Sequence, residues 1–437
     1  MTPSADLIQW DKRHCWHPFT QAQTAPDPIP MASARGATLT SVDGRTFIDL
    51  NASWWVTTHG HAHPAIAAAI AQQAQTLEQV IFAGFTHAPA VNLATRLSET
   101  LGGDLDRVFF SDDGSTAVEV ALKMAAQYHI NQGTPRHRFV AFRGGYHGDT
   151  VGAMSMGQGS GFFDAFQAML FHVDLLDYPA TWLGDPTPEL REALVLSQLD
   201  DYLATHGPQC GALLMEPLVQ GAAGMRMARA GFVQQVMERC RAAGVLVILD
   251  EVMTGFGRTG TLFAFQQCGD YPDIICLSKG LTAGFMPMSV TVVREPIYQA
   301  FMGEGFERAL AHGHSFTANP LGCVAALASL ELFEQEGSLA RIGQIAALHQ
   351  QRLEPLQKHA KAVRPRVCGS IGAIDLRVAD GGYGAEIGPK LKAFFIEKGL
   401  LMRPLGNTVY LLPPYCVSDA QLHQGWDAIE EALDTLL

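Results

Sequence analysis

The chain has 437 residues, 48% hydrophobic and 17% charged, with 30 basic residues against 43 acidic ones and a net charge of −13. That length exceeds one ordinary hydrophobic core and predicts about two domains, with the composition of a folded globular protein rather than a disordered one. An acidic chain with no basic cluster lacks the Lys/Arg footprint that nucleic acid or an anionic membrane surface requires, and no apolar run approaches the roughly 18–20 residues of a bilayer span. In chain order, the first 50 residues carry turn punctuation (PDPIP, SVDGR) and short strand-like pieces, and read as an accessory segment. Residues 64–80, Ala-rich with Pro64 in the first turn, predict a helix. From about 88 to 320, helix-like stretches at 90–101, 115–131 and 231–243 alternate with the apolar runs RVFFSD, RFVAFRG, GALLMEP, VLVILDEV and DIICLSK. Such alternation predicts an α/β fold with a mostly parallel sheet, and the uninterrupted apolar runs suit strands covered on both faces. A long amphipathic helix at 321–336 precedes an α+β stretch, with helices near 340–358, 385–398 and 418–436 around strands near 371–377, 400–403 and 408–412. The boundary is placed near 330, giving segments 1–52, 53–330 and 331–437.

Ligands of an open α/β sheet bind beyond the carboxyl ends of its strands, so the residues closing each run are the candidates. Asp250 closes VLVIL; a carboxylate there either caps local backbone or awaits a cation, such as a protonated ring nitrogen. Lys279 closes DIICLS; a lysine in apolar surroundings loses affinity for its proton and becomes an amine nucleophile, although a strand-end lysine is also commonly a solvated charge. Gly114 and Ser115 open a helix after RVFFSDD, either as a phosphate site or as an ordinary N-cap formed by Ser115 or Asp113. Tyr146 and His147 follow RFVAFRGG, offering a ring to stack on a flat ligand or simply packing. Glu216 follows GALLM, to orient a ligand or to form a structural salt bridge.

Two patterns mislead. Gly255, Gly257 and Gly260 satisfy GxGxxG, yet five residues separate the run from the first glycine and TLFAF follows the last, so a dinucleotide fingerprint is not expected. His59, His61 and His63 alternate without a matching ligand nearby in sequence, which favours a polar loop over a metal site; no metal is expected. The eight cysteines include no CxxC pair and read mostly as buried free thiols. With no signal-peptide pattern at the start, this suggests a reducing, cytoplasmic location.

Taken together, LDEVMTGFGRTG followed by PDIICLSKGLTAG resembles the cofactor signature of the class-III (ω-amino acid type) aminotransferases of fold type I, over residues 12 to about 416. The resemblance implies a large domain with a mostly parallel sheet and a small α+β domain built from the N-terminal segment and the C-terminal region. It implies pyridoxal 5'-phosphate (PLP) held as a Schiff base by Lys279, with Asp250 on its ring nitrogen and Gly114 and Ser115 on its phosphate. Tyr146, His147, Glu216 and Val252 complete the implied cofactor site. The family is dimeric, so Gly313, His314 and Ser315 are expected to approach the phosphate site from the other subunit of a homodimer. RHCWHPFT, NASWWVTTHGHAHP, FRGGYHGDTVGAMS and LMRPLGNTVYLLPPY are similar to the branch that aminates 8-amino-7-oxononanoate in biotin biosynthesis, with S-adenosylmethionine as donor; the alternatives are lysine as donor, or another class-III aminotransferase acting on ω-amino acids or diamines. That likeness implies a substrate pocket of Phe19, Trp54, Trp55, Tyr146, Lys279, Gly313 and Arg403, with Arg403 clamping the substrate carboxylate. The family pattern carries Tyr where this chain has Phe19, which keeps the packing but removes a hydrogen bond of about 0.5–1.5 kcal/mol. Ser315 stands where Thr is common.

Overall fold

The structure, a computed structural model, describes residues 4–159 and 161–437. Its centre is a seven-stranded sheet in the spatial order Leu105–Ser111, Ser289–Arg294, Ile274–Leu277, Leu246–Asp250, Cys210–Met215, Arg138–Phe142, Asp174–Leu176. The strands from Ile274–Leu277 to Asp174–Leu176 pair in parallel, and Ser289–Arg294 is antiparallel to both of its neighbours. Cys210–Met215, Leu246–Asp250 and Ile274–Leu277 are buried at every position, as sheet strands covered on both faces must be. The helix Gly114–Asn131 shows how local sequence sets an element. Asp113 accepts from the Thr116 amide at 2.9 Å while Thr116 Oγ1 accepts from the Asp113 amide at 3.0 Å, a reciprocal cap. Beyond it, Ala117, Val118, Ala121, Leu122 and Ala125 bury against the sheet.

Of two smaller sheets, one joins the N-terminal segment to the C-terminal region and the other is C-terminal throughout. Met31–Arg35, Thr38–Ser41 and Thr46–Asp49 form an antiparallel meander, and Leu400–Leu401 pairs in parallel with Thr46–Asp49. Ala362–Cys368, Ile371–Leu376 and Thr408–Leu411 form the other. The expected division at 330 falls inside the continuous helix Pro320–Gln335.

The structure departs from the expectations in several places. The helix expected over 64–80 ends at Ala74. Residues beyond it are held by tertiary bonds instead: Asn319 Nδ2 donates to the Glu78 carbonyl at 2.9 Å and Gln79 Nε2 to the Ser315 carbonyl at 3.0 Å. A helix at Pro188–His206 was not anticipated, nor was the strand Ala362–Cys368, whose Pro365 argues against a strand; a register shift between Val363 and Arg366 accommodates it. The GxGxxG stretch forms turns, starting well after the strand's last residue, Asp250. Among the described residues no helix is long and apolar enough to cross a membrane. Of the cysteines, Cys210, Cys240, Cys268, Cys276 and Cys323 are buried, and all eight are free thiols.

Candidate active site

The carboxyl ends of the strands open into a cavity of about 610 Å³, lined among others by Gly114, Ser115, Tyr146, His147, Glu216 and Asp250. Trp55, Val252 and Lys279 also reach it. Apart from Trp55, which follows Thr46–Asp49 of a smaller sheet, they lie at strand ends of the central sheet or in the turns just after them, so that sheet is what gathers them.

Asp250 is 3% exposed. Its Oδ2 accepts from His147 Nδ1 at 2.7 Å and its Oδ1 from the Val252 amide at 3.0 Å. His147 Nε2 is buried without a partner among the described residues. A carboxylate offers about four acceptor sites, so Asp250 retains capacity for a cationic N–H inside the cavity. Lys279 makes no ion pair among the described residues; its Nζ lies 5.9 Å from the Trp55 ring centroid. Burial lowers its pKa, opposed by the charges of Asp250 and Glu216. Its φ of 46° places a non-glycine residue in the left-handed region, which costs roughly 1–3 kcal/mol and aims the side chain into the site.

Among the described residues Glu216 forms no salt bridge, so that alternative is not what forms there. Its Oε2 accepts from the Tyr146 amide at 3.1 Å and its Oε1 from the Gly221 amide at 2.9 Å. Burial raises its pKa to about 7, with the His147 interaction opposing and the Asp250 charge adding to the rise. Tyr146 thus has its backbone fixed by Glu216, while burial and the neighbouring Asp149 carboxylate keep its phenol protonated.

At the helix start the ordinary N-cap reading holds. Asp113 is the cap, and the first-turn amides of Gly114 and Ser115 have no intrahelical acceptor. A Cβ on Gly114 would lie 2.5 Å from Val252 Cγ1, so only glycine lets this turn approach the cavity wall. Ser115 Oγ accepts from the Thr150 amide at 3.0 Å and lies 2.7 Å from Thr150 Oγ1. Free helix amides, a fixed buried carboxylate and a buried amine suit a flat, phosphorylated, basic heterocyclic aldehyde such as PLP.

Phe19, Trp54 and Arg403 form a second cluster beside the cavity. The Arg403 guanidinium sits 4.3 Å from the Trp54 ring centroid and 5.9 Å from that of Phe19, and it pairs with no carboxylate among the described residues. Rings connect the clusters: Phe162 lies 6.3 Å from Phe19 and 5.9 Å from Tyr146. Trp55 Nε1 donates to Tyr410 Oη at 2.9 Å. Beneath them, the turn 52–55 has positive φ at Ala52 (46°), Ser53 (60°) and Trp55 (67°). Asp49, fully buried, restrains it: its Oδ1 accepts from the Asn51 amide at 3.1 Å, and its Oδ2 from the Ser53 amide and His61 Nε2, both at 2.7 Å. Asn51 Oδ1 accepts from the Arg403 amide at 2.6 Å.

Gly313, His314 and Ser315 do not line the cavity; His314 Nδ1 stands 3.8 Å from Asp112 Oδ2 at its edge. The histidine trio divides: His61 serves Asp49, His63 Nε2 lies 3.0 Å from Glu336 Oε1, and His59 is buried against Phe333. Sequence reasoning missed Asp49, Asn51, Phe162, Tyr383 and Tyr410. For Asp49 and Asn51 a signal existed, since both shortly precede the tryptophan pair in DLNASWW.

The family model for class-III aminotransferases matches residues 20–433. An adenosylmethionine-8-amino-7-oxononanoate aminotransferase of Synechococcus elongatus is 53% identical over 423 residues, covering 97% of this chain and 99% of the relative. One from Geobacter sulfurreducens is 38% identical, covering 98% of each. Among solved structures, the enzyme of that name from Methanocaldococcus jannaschii superposes with a TM-score of 0.90 at 33% identity, covering 98% of this chain and 99% of that one. A PLP-bound amine transaminase from an uncultivated Pseudomonas species also gives 0.90 at 33% identity, with 96% and 98% covered. With a match of that extent over this sheet and cavity, the chain belongs to the class-III aminotransferases.

Proposed function

We propose that this aminotransferase uses PLP to move an amino group from S-adenosylmethionine to the ketone of 8-amino-7-oxononanoate. The observation that carries the substrate choice is Arg403, a guanidinium with no carboxylate partner among the described residues, stacked on Trp54 and joined to the Lys279 cavity by rings. Such a channel suits a ketone at one end of a methylene chain and a carboxylate at the other.

When bound, PLP supplies an aldehyde for the amino group and a ring that accepts the electron pair at the reacting carbon. Asp250, oriented by His147 and the Val252 amide, provides the negative charge that keeps a ring nitrogen protonated. Lys279 would carry the cofactor and, as an amine whose hold on its proton burial weakens, take and return a proton at Nζ, a general-base role worth roughly 10²–10⁴ in rate. The Gly114 and Ser115 amides would hold the phosphate. Arg403 fixes the far carboxylate while Trp54 and Trp55 flank the stem and exclude water.

The working form in this reading is a cytoplasmic homodimer with Gly313, His314 and Ser315 completing the partner's site. Exposed rings on the chain, Trp16 at 96%, Phe85 at 62% and Phe316 at 61%, support a covered face, and eight free thiols support a reducing compartment. The test follows the cofactor absorbance of the purified PLP form. S-adenosylmethionine should abolish the band and 8-amino-7-oxononanoate should restore it. Response only to ω-amino acids and 2-oxoglutarate overturns the substrate assignment; response to lysine in place of S-adenosylmethionine overturns the donor. Lys279→Ala should abolish turnover.

A further inference from the structure

The loop between Ile371–Leu376 and Ile387–Glu397 carries Tyr383 over the Arg403 cluster. Arg403 Nη2 donates to Tyr383 Oη at 3.4 Å, and the Tyr383 ring packs edge-on against Phe162 with centroids 4.5 Å apart. The loop is anchored where it matters. Asn407 Oδ1 accepts from the Gly382 amide at 2.7 Å, and Asn407 Nδ2 donates to the Leu376 carbonyl at 2.8 Å. Gly406 approaches Gly382 so closely that a Cβ on it would overlap the Gly382 carbonyl oxygen. Tyr383 is therefore fixed to the segment 405–408 that follows Arg403, rather than left on a free loop. Its oxygen accepts from Arg403, which leaves its own O–H to donate. Phe19 and Trp54, the other rings beside Arg403, have no hydroxyl.

We propose that Tyr383 is a substrate ligand: its phenol donates a hydrogen bond to the terminal carboxylate that Arg403 clamps, and so helps select a carboxylate-ended chain. This rests on the amino-transfer reading of the same site. Tyr383 is 43% exposed, so Tyr383→Phe leaves no buried group unsatisfied and keeps the Phe162 contact.

The experiment compares wild-type and Tyr383→Phe holoenzymes in steady state with 8-amino-7-oxononanoate and with its methyl ester, and in the S-adenosylmethionine half-reaction. The expected result is a KM for the free acid raised roughly threefold to tenfold, kcat within about twofold, an unchanged donor half-reaction and an equal KM for the ester. An unchanged KM for the acid, an equal rise for acid and ester, or an effect on the donor half alone overturns the proposal. If wild type does not turn over the free acid at all, the functional reading fails first, and that outcome is separate because it needs no variant.

Discussion

Asp49→Asn tests whether the strained turn beneath the tryptophans is held by one buried carboxylate. The turn carries three non-glycine residues at positive φ, each worth roughly 1–3 kcal/mol. Asp49 offsets this by accepting three hydrogen bonds, from Asn51, Ser53 and His61. In the asparagine variant one oxygen becomes an NH2. Whichever way the amide turns, a buried donor faces another donor, at about 1–3 kcal/mol. The bonds that remain lose their charge assistance, for about 1 kcal/mol more. A total near 3 kcal/mol, against an unfolding entropy of about 2.1 cal/mol/K per residue, lowers Tm by about 3 °C. If roughly half of it lets the turn relax, Trp54 leaves Arg403, whose amide is bonded to Asn51, and the KM for 8-amino-7-oxononanoate rises about tenfold. Differential scanning calorimetry and steady-state kinetics on the holoenzyme measure both. An unchanged Tm with unchanged KM, or a damaged S-adenosylmethionine half-reaction with an intact keto-acid KM, refutes the argument.

Arg403→Lys keeps the charge but loses the two-pronged donor and the stacking on Trp54, so the keto-acid KM should rise about 30-fold with the donor half-reaction intact; an unchanged KM would show that the carboxylate binds elsewhere. Glu216 has a folded pKa raised to about 7 from an ordinary carboxylate value. Between about pH 4.5 and 7 the folded state therefore holds a proton that the unfolded state has lost, and stability of the apoenzyme falls as pH rises through that window, by an amount on the order of 3 kcal/mol. Glu216→Gln should flatten this slope in urea titrations at pH 5 and 7; an unaltered slope assigns it to another group. Gly114→Ala, whose Cβ would sit 2.5 Å from Val252 Cγ1, should weaken PLP retention in equilibrium dialysis by about tenfold, and full retention would place the phosphate away from this turn.

How much of the site could be read in advance depended on sequence distance. Asp250 and Lys279 were legible because each ends an apolar run, and adjacent strand ends in a parallel sheet share one mouth; Leu246–Asp250 and Ile274–Leu277 are indeed neighbours. The helix start at Gly114 was legible because its cap is local. Arg403 and Trp54 came only through resemblance, and their surroundings not at all: the Asn51–Arg403 and Trp55–Tyr410 bonds join residues 352 and 355 positions apart. No periodicity encodes a contact of that kind. Tyr383 lay in a glycine-rich stretch, DGGYG, that reads as a simple loop until Asn407 is seen to anchor it. The helix Pro188–His206 was obscured because acidic Glu192 is buried in its apolar surface, paired there with Arg229.

The strain at residues 52–55 follows from the two duties of adjacent tryptophans. Trp54 is 41% exposed and carries Arg403; Trp55 is 6% exposed, faces Lys279 and bonds Tyr410. A regular helix would fan the two side chains about 100° apart around a single axis, and a strand would send them to opposite faces. Neither puts one ring against Arg403 and its neighbour against the Lys279 amine. A turn through positive φ does, and it persists only where its surroundings over-determine it. Those surroundings are present on every side. Asp49 holds its amides, and the buried Arg258 donates to the Thr57 carbonyl at 2.8 Å and the Pro413 carbonyl at 2.7 Å, tying the end of the turn to the C-terminal segment. Gly284, just past the Lys279 turn, packs directly on Val56 and Thr57. In the proposed reading, the Lys279 end and the Arg403 end of the site are thus both set by one short segment. Changes to Asp49 should therefore register in substrate affinity well before they register in the chemistry at Lys279.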